Sequence, residues 1–201
     1  MKRTLLGTVA ALFAGLSATP ASAHVEEFRL GVVQHNIRTD HGDLADPKED
    51  GPNVEAELVF STPGFLEWAG QPRPYAMVSY NTAGDTSFGG VGVYWRLELG
   101  DKWAFEPGFG YVIHDGELDI PDTFAPDGPE ATAFEAEHQL LGSRDLFRTS
   151  FALEREVGSR FAWQLYYEHL SHGQILDTGR NQGLDEAGIR VIFRLDPDAA
   201  D

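Results

Sequence analysis

The chain has 201 residues, with 32 Asp and Glu against 15 Lys and Arg, 22 glycines, no cysteine and 42% apolar residues. A net charge of -17 argues against a nucleic-acid partner, because phosphate recognition needs clustered Lys and Arg. Without cysteine there are no disulfides, no thiol nucleophile and no thiolate metal site.

The first 23 residues read as an address. Lys2 and Arg3 precede a short apolar stretch over 5–16, and Ala21-Ser22-Ala23 supplies the small residues that a signal peptidase requires. The stretch is too short to span a bilayer, so residues 1–23 are expected to be a cleaved bacterial export signal. The mature chain then begins at His24. An N-terminal histidine is half of a copper-binding histidine brace, but a lone histidine after a cleavage site is a weak motif. His35, His41, His114, His138 and His172 have no regular ligand spacing. No metal and no cofactor is assigned.

From residue 24 onward the apolar residues alternate with a period of two, which is the strand signature. Eight strands are expected, near 26–35, 53–62, 74–81, 87–99, 102–113, 141–156, 160–171 and 183–195. In the second, Val54, Ala56, Leu58 and Phe60 oppose Glu55 and Glu57. In the fourth, Val91, Val93, Trp95, Leu97 and Leu99 oppose Gly90, Gly92, Tyr94, Arg96 and Glu98. The fifth sets Trp103, Phe105, Phe109, Tyr111 and Ile113 against Lys102, Glu106, Gly108 and His114. The sixth sets Phe147, Phe151 and Leu153 against Arg144, Arg148, Ser150 and Glu154.

Two architectures share this pattern. A soluble barrel turns the apolar face inward, whereas an outer-membrane barrel turns it to lipid and fills a narrow lumen with charges and glycines. Aromatic-rich apolar faces, polar faces carrying both signs of charge, and connections that tend to alternate between long and short favour the membrane. The expected fold is an all-β, eight-stranded antiparallel up-and-down outer-membrane barrel over 24–195. Its interior is filled by side chains rather than open as a pore. The acidic residues 196–201 form a C-terminal tail, placed after the point where such barrels commonly end on an aromatic residue.

Candidate chemistry concentrates in the last two strands. The odd positions of the seventh run Phe161, Trp163, Leu165, Tyr167, His169 and Ser171, so a histidine and a serine are neighbours on the apolar face. That pair is the minimum for a nucleophilic hydroxyl with its general base. The apolar face of the eighth begins with Asp185, which an antiparallel return brings to the same end and face. Glu168 and Glu186 have the opposite parity and should point into the lumen. Polar groups at a lipid-facing rim have no structural use there, but they suit an enzyme whose substrate lies beside the barrel.

His169-Leu170-Ser171 followed by Asn181-Gln182-Gly183-Leu184-Asp185 resembles the outer-membrane lipid A 3-O-deacylase (PagL-type, acyloxyacyl hydrolase) family. Leu141-Gly142-Ser143-Arg144 with Leu146-Phe147-Arg148 resembles it too, so the likeness in detail covers about 141–195. The resemblance implies an eight-stranded barrel with the site on its lipid-facing outside. It makes Ser171 the nucleophile, His169 the base and Asp185 the orienting carboxylate. The reaction implied is hydrolysis of the 3-O-linked 3-hydroxyacyl ester of lipid A. Two positions depart from the family pattern: Asp185 stands where Glu is usual, with Glu186 adjacent as a stand-in, and His172 stands where Asn follows the serine. The oxyanion donors are therefore sought among the His172 and Gly173 amides and the Asn181 side chain.

The expected partner is lipid A or lipopolysaccharide of the outer leaflet, with a homodimer left open. Acidic connections over 36–52 and 114–140 could bridge divalent cations to lipopolysaccharide phosphates, but solvated acidic loops are the simpler account. Two other classes stand beside the esterase: a non-catalytic small outer-membrane barrel, and a soluble lipocalin-like lipid binder with its faces inverted.

Overall fold

The structure is a computed structural model, and it describes residues 23–37 and 48–195. Residues 1–22 of the expected export signal over 1–23, most of the first acidic connection and the tail over 196–201 lie outside the described residues. Strands follow in chain order as β1 (Val25–Gln34), β2 (Pro52–Phe60), β3 (Arg73–Asn81), β4 (Phe88–Tyr94), β5 (Leu97–Glu98), β6 (Trp103–His114), β7 (Asp145–Glu156), β8 (Phe161–Ser171) and β9 (Leu184–Arg194). Every pairing is antiparallel between chain neighbours, β9 returns to β1, and β4 and β5 lie end to end along β6. The result is a closed barrel of eight staves, and closure leaves no open sheet edge.

The expected fourth strand, 87–99, is broken at Trp95 and Arg96, and Pro107 is the reason. The Trp95 amide donates to the Pro107 carbonyl at 3.0 Å, but proline has no N–H to return, so the ladder is interrupted there. The sixth strand begins at Asp145 rather than 141. Leu141 and Gly142 instead donate to the carbonyls of Glu117 and Leu118, at 3.0 and 2.9 Å, and so belong to the outer loops. A helix not expected from the pattern, α1 (Pro129–Glu137), lies in the same connection. Pro129 pre-sets its first turn and its alanines favour helix. With no apolar stripe it gives no periodic signal.

Side-chain parity decides between the two barrel architectures. Leu30, Val32, Val54, Phe109, Leu165 and Ile189 are all exposed on the outside, Val32 and Ile189 each at 56%. The inward positions carry Glu27, Arg29, Glu57, Glu106, Arg148, Gln164, Glu168 and Arg190, all buried. Apolar surface outside and charge inside is the arrangement of an outer-membrane barrel and the reverse of a lipocalin. Arginines and glutamates pair through most of the lumen, beside a buried cluster of Glu55, Glu168 and Glu186. Arg29 grips Glu27 through Nε at 2.9 Å and Glu106 through Nη1 at 2.6 Å. Arg148 donates to Glu168, Tyr166 and the Tyr94 hydroxyl, and Tyr94 in turn donates to Glu57 at 2.5 Å. Arg190 donates to Gln164 at 2.8 Å and lies 3.6 Å from the Tyr166 ring centroid. Inward glycines make room for this filling: a Cβ on Gly92 or Gly110 would fall on the Tyr75 hydroxyl, and one on Gly108 on the Tyr94 ring.

His35, just beyond β1, closes the outer mouth of the lumen. Its Nδ1 meets Glu186 at 2.5 Å and its Nε2 meets Glu49 at 2.7 Å, and Glu49 also accepts from the Thr86 hydroxyl at 3.0 Å. Burial alone would lower the histidine's pKa, but the two carboxylates outweigh it and raise the value to about 9. The folded-state pKa therefore lies above the unfolded value of roughly 6.5. The stabilisation is complete below about 6.5 and is lost as pH rises through about 9. The urea midpoint of the wild-type barrel is expected to fall more steeply across this window than that of His35→Gln. Parallel curves for the two proteins would contradict the assignment.

Candidate active site

The antiparallel register of β8 and β9 makes His169 and Asp185 direct cross-strand partners on the outer face. Directly opposed side chains on one face are within reach of each other, and His169 Nδ1 lies 2.8 Å from Asp185 Oδ1. A carboxylate at Nδ1 fixes the neutral imidazole with its proton there, leaving the Nε2 lone pair free to accept. Glu186 lies on the other face, bonded to His35 and to Asn53 Nδ2 at 2.9 Å. Of the two adjacent acids, Asp185 is the one at the histidine. The His169 side chain is 43% exposed and that of Asp185 15%.

Ser171 is the last residue of β8 and sits on the same face two positions beyond His169, half-buried, opposite Phe147 of β7. The three residues singled out in the sequence thus lie on one face at the outer end of two adjacent strands, where Leu165 and Ile189 are exposed, and of the three His169 and Asp185 are in contact.

Tyr167 belongs to this constellation, and its role was missed from sequence. Its hydroxyl donates to Asp185 Oδ1 at 2.6 Å, the same oxygen that receives His169. A tyrosine on a lipid-facing strand reads as an interfacial girdle residue, so the pattern placed it on the right face without showing its bond.

The candidate oxyanion donors are arranged unevenly. The His172 amide donates to Asn181 Oδ1 at 3.4 Å, so these two are turned toward each other. The His172 ring is buried and structural: Nε2 donates to the Arg180 carbonyl at 2.8 Å, and Nδ1 accepts from the Gln174 amide at 3.2 Å. The Gly173 amide, exposed at the turn directly after Ser171, donates to no other group among the described residues.

Two glycines of the sequence motifs have a steric purpose. Gly142, at φ +78°, lets the Arg180 carbonyl approach where a Cβ would collide at 1.8 Å, locking the two outer loops together. Gly183, at φ +68°, lies under the catalytic candidate: a Cβ there would be 3.1 Å from His169 Cε1 and 3.3 Å from the Leu170 carbonyl.

An apolar-out barrel of eight staves with a carboxylate-histidine pair and a serine on its outer rim has the form of an outer-membrane enzyme. The sequence profile of the family described as lipid A 3-O-deacylase (PagL) matches residues 56–194. The chain belongs to this family. Among solved structures it is similar to the crystal structure of the outer membrane enzyme PagL, at 14% identity and a TM-score of 0.55. The match covers 84% of this chain and 99% of that one. At that identity the likeness speaks for the fold alone. No curated protein sequence matches significantly.

Gly183→Ala tests the steric account. A side chain at this left-handed position costs about 1–2 kcal/mol and must displace the His169 ring. A structure of the variant should show the Nδ1–Oδ1 separation stretched beyond about 3.2 Å, the limit for such a bond. An unchanged pair would contradict the role given to Gly183.

Proposed function

We propose that the protein is an outer-membrane serine esterase that removes the 3-O-linked 3-hydroxyacyl chain from lipid A. Ser171 acts as nucleophile, His169 as general base and Asp185 as orienting carboxylate. Family membership supports the substrate class. The observation that carries the mechanism is the 2.8 Å contact of His169 Nδ1 with Asp185 on the lipid-facing side of the barrel.

His169 Nε2 takes the Ser171 proton as Oγ bonds to the ester carbonyl carbon. The tetrahedral intermediate places its negative oxygen toward the Gly173 amide, with the Asn181 and His172 pair as the other candidate donors. Collapse breaks the bond to the sugar 3-oxygen, which leaves with the proton from His169. Water then attacks the acyl-enzyme and gives its proton to His169, and the fatty acid departs as Ser171 regains its hydrogen. These steps need neither metal nor cofactor. The expected export signal and the apolar belt both suit a substrate that lies in the outer leaflet beside the barrel.

Tyr167 acts through Asp185, so it is a positioning residue. It helps hold the carboxylate level with the imidazole on a poorly hydrated surface.

Mass spectrometry of lipid A, with quantification of free 3-hydroxy fatty acid, tests the proposal. Ser171→Ala should abolish release while the barrel keeps its heat-modifiable mobility. Asp185→Asn should slow release by about 10²–10⁴-fold, and Tyr167→Phe by about tenfold through kcat with KM little changed. Glu186→Gln should change the rate little, because its carboxylate faces the lumen. Undiminished release from Ser171→Ala would refute the assignment, and a crippled Glu186→Gln beside an active Asp185→Asn would exchange the two acids.

A further inference from the structure

Beside the triad, on its β1 side, is a groove of about 280 Å³ that borders the site through Asp185 and Asn181. Its wall includes Asn36, Lys48, Gln139, Asn181, Gln182 and Asp185. Four of these six carry carboxamides, each able both to donate and to accept. Most are held by the protein itself. Gln182 Oε1 accepts from Lys48 Nζ at 3.2 Å and from the Leu140 amide at 2.9 Å, and Gln139 Nε2 donates to the Gly183 carbonyl at 2.5 Å. Asn36 is different. Its side-chain Nδ2 has no hydrogen-bond partner among the described residues, in a residue only 4% exposed. A buried donor left unsatisfied is costly, and here it belongs to a residue that lines a groove.

We infer that this groove receives the amino-sugar ring of the substrate headgroup, with Asn36 Nδ2 donating to a sugar hydroxyl or N-acyl carbonyl oxygen. The inference rests on the esterase reading and adds a binding site to it. Three observations select this ligand. The groove shares Asp185 and Gly183 with the site, so a group bound there lies beside an ester held at Ser171. It lies at the outer rim, where the headgroup of an outer-leaflet lipid sits. Its wall mixes one cation, one carboxylate and four carboxamides, which suits a neutral group rich in hydroxyls and amides better than a phosphate, since a phosphate would meet the carboxylate beside the lysine.

The test compares two substrates on the full-length protein in detergent micelles: lipid A, and a p-nitrophenyl fatty-acyl ester that has no sugar. Asn36 has φ +49°, a left-handed conformation that Asp and Gly also tolerate. Asn36→Asp replaces the donor by an acceptor, and Asn36→Gly removes it, so either variant can serve if the other fails to fold. The ratio of kcat/KM for lipid A to that for the simple ester should fall at least tenfold in Asn36→Asp and several-fold in Asn36→Gly. Enzymatically dephosphorylated lipid A should show the same loss. An unchanged ratio would overturn the sugar site, and a loss confined to phosphorylated lipid A would assign the groove to phosphate instead. If the wild type cleaves both esters and the Asn36 variants keep the wild-type ratio, only the groove inference fails. If the wild type cleaves neither, the esterase reading fails and takes the groove with it.

Discussion

The structure depends on the neutralisation of charge inside a narrow barrel. Eight strands enclose a lumen just wide enough for side chains, and this sequence fills it with arginines and glutamates. Each arginine is shared: Arg29 spans Glu27 on its own strand and Glu106 across the barrel, and Arg148 reaches Glu168 and, through Tyr94, the carboxylate of Glu57. Removing one partner of such a network strands a buried charge, at a cost of about 3–5 kcal/mol. With period-two strands, filling the interior with charge leaves Val32, Leu165 and Ile189 no place but the outside. The apolar outer belt is the other side of the same alternation.

The site follows from that arrangement. A carboxylate on the apolar face is tolerable only near the rim, where the penalty is about 0–1 kcal/mol, and when it is well bonded. Asp185 meets both conditions, lying next to the outer end of β9 and taking hydrogen bonds from His169 and Tyr167 on one oxygen. Aspartate is one methylene shorter than the glutamate usual in this family, which keeps the carboxylate close to its own strand. Tyr167 approaches it from the neighbouring strand at that level. Meanwhile Glu186, one residue on, is committed to the lumen through His35 and Asn53. One-residue parity thus separates a catalytic candidate from a structural acid.

Alternation made most of this legible in the sequence. The strands, their inward and outward faces, the pairing of His169 with Asp185 and the place of Ser171 on the same face all follow from period two and antiparallel return. What stayed hidden depended on partners distant in the chain or on elements without periodicity. The break after Tyr94 is caused by Pro107, which faces Trp95 only once β4 and β6 pair. The His35–Glu186 contact links residues near opposite ends of the chain, which meet only when β9 closes on β1. Helix α1 is rich in alanine and glutamate and has no apolar stripe to betray it. The candidate oxyanion donors lie in the loop after Ser171, where His172 and Asn181 turn toward each other in a way that no residue pattern announces.

The central claim is that a nucleophilic serine works on the lipid-facing surface, and covalent trapping tests it most directly. The protein in lipid vesicles would be treated with a long-chain alkyl fluorophosphonate, and the modified peptide identified by mass spectrometry. The account predicts a single adduct at Ser171, formed much more slowly in Asp185→Asn. An adduct at another serine, or none on a protein that still releases fatty acid from lipid A, would contradict it.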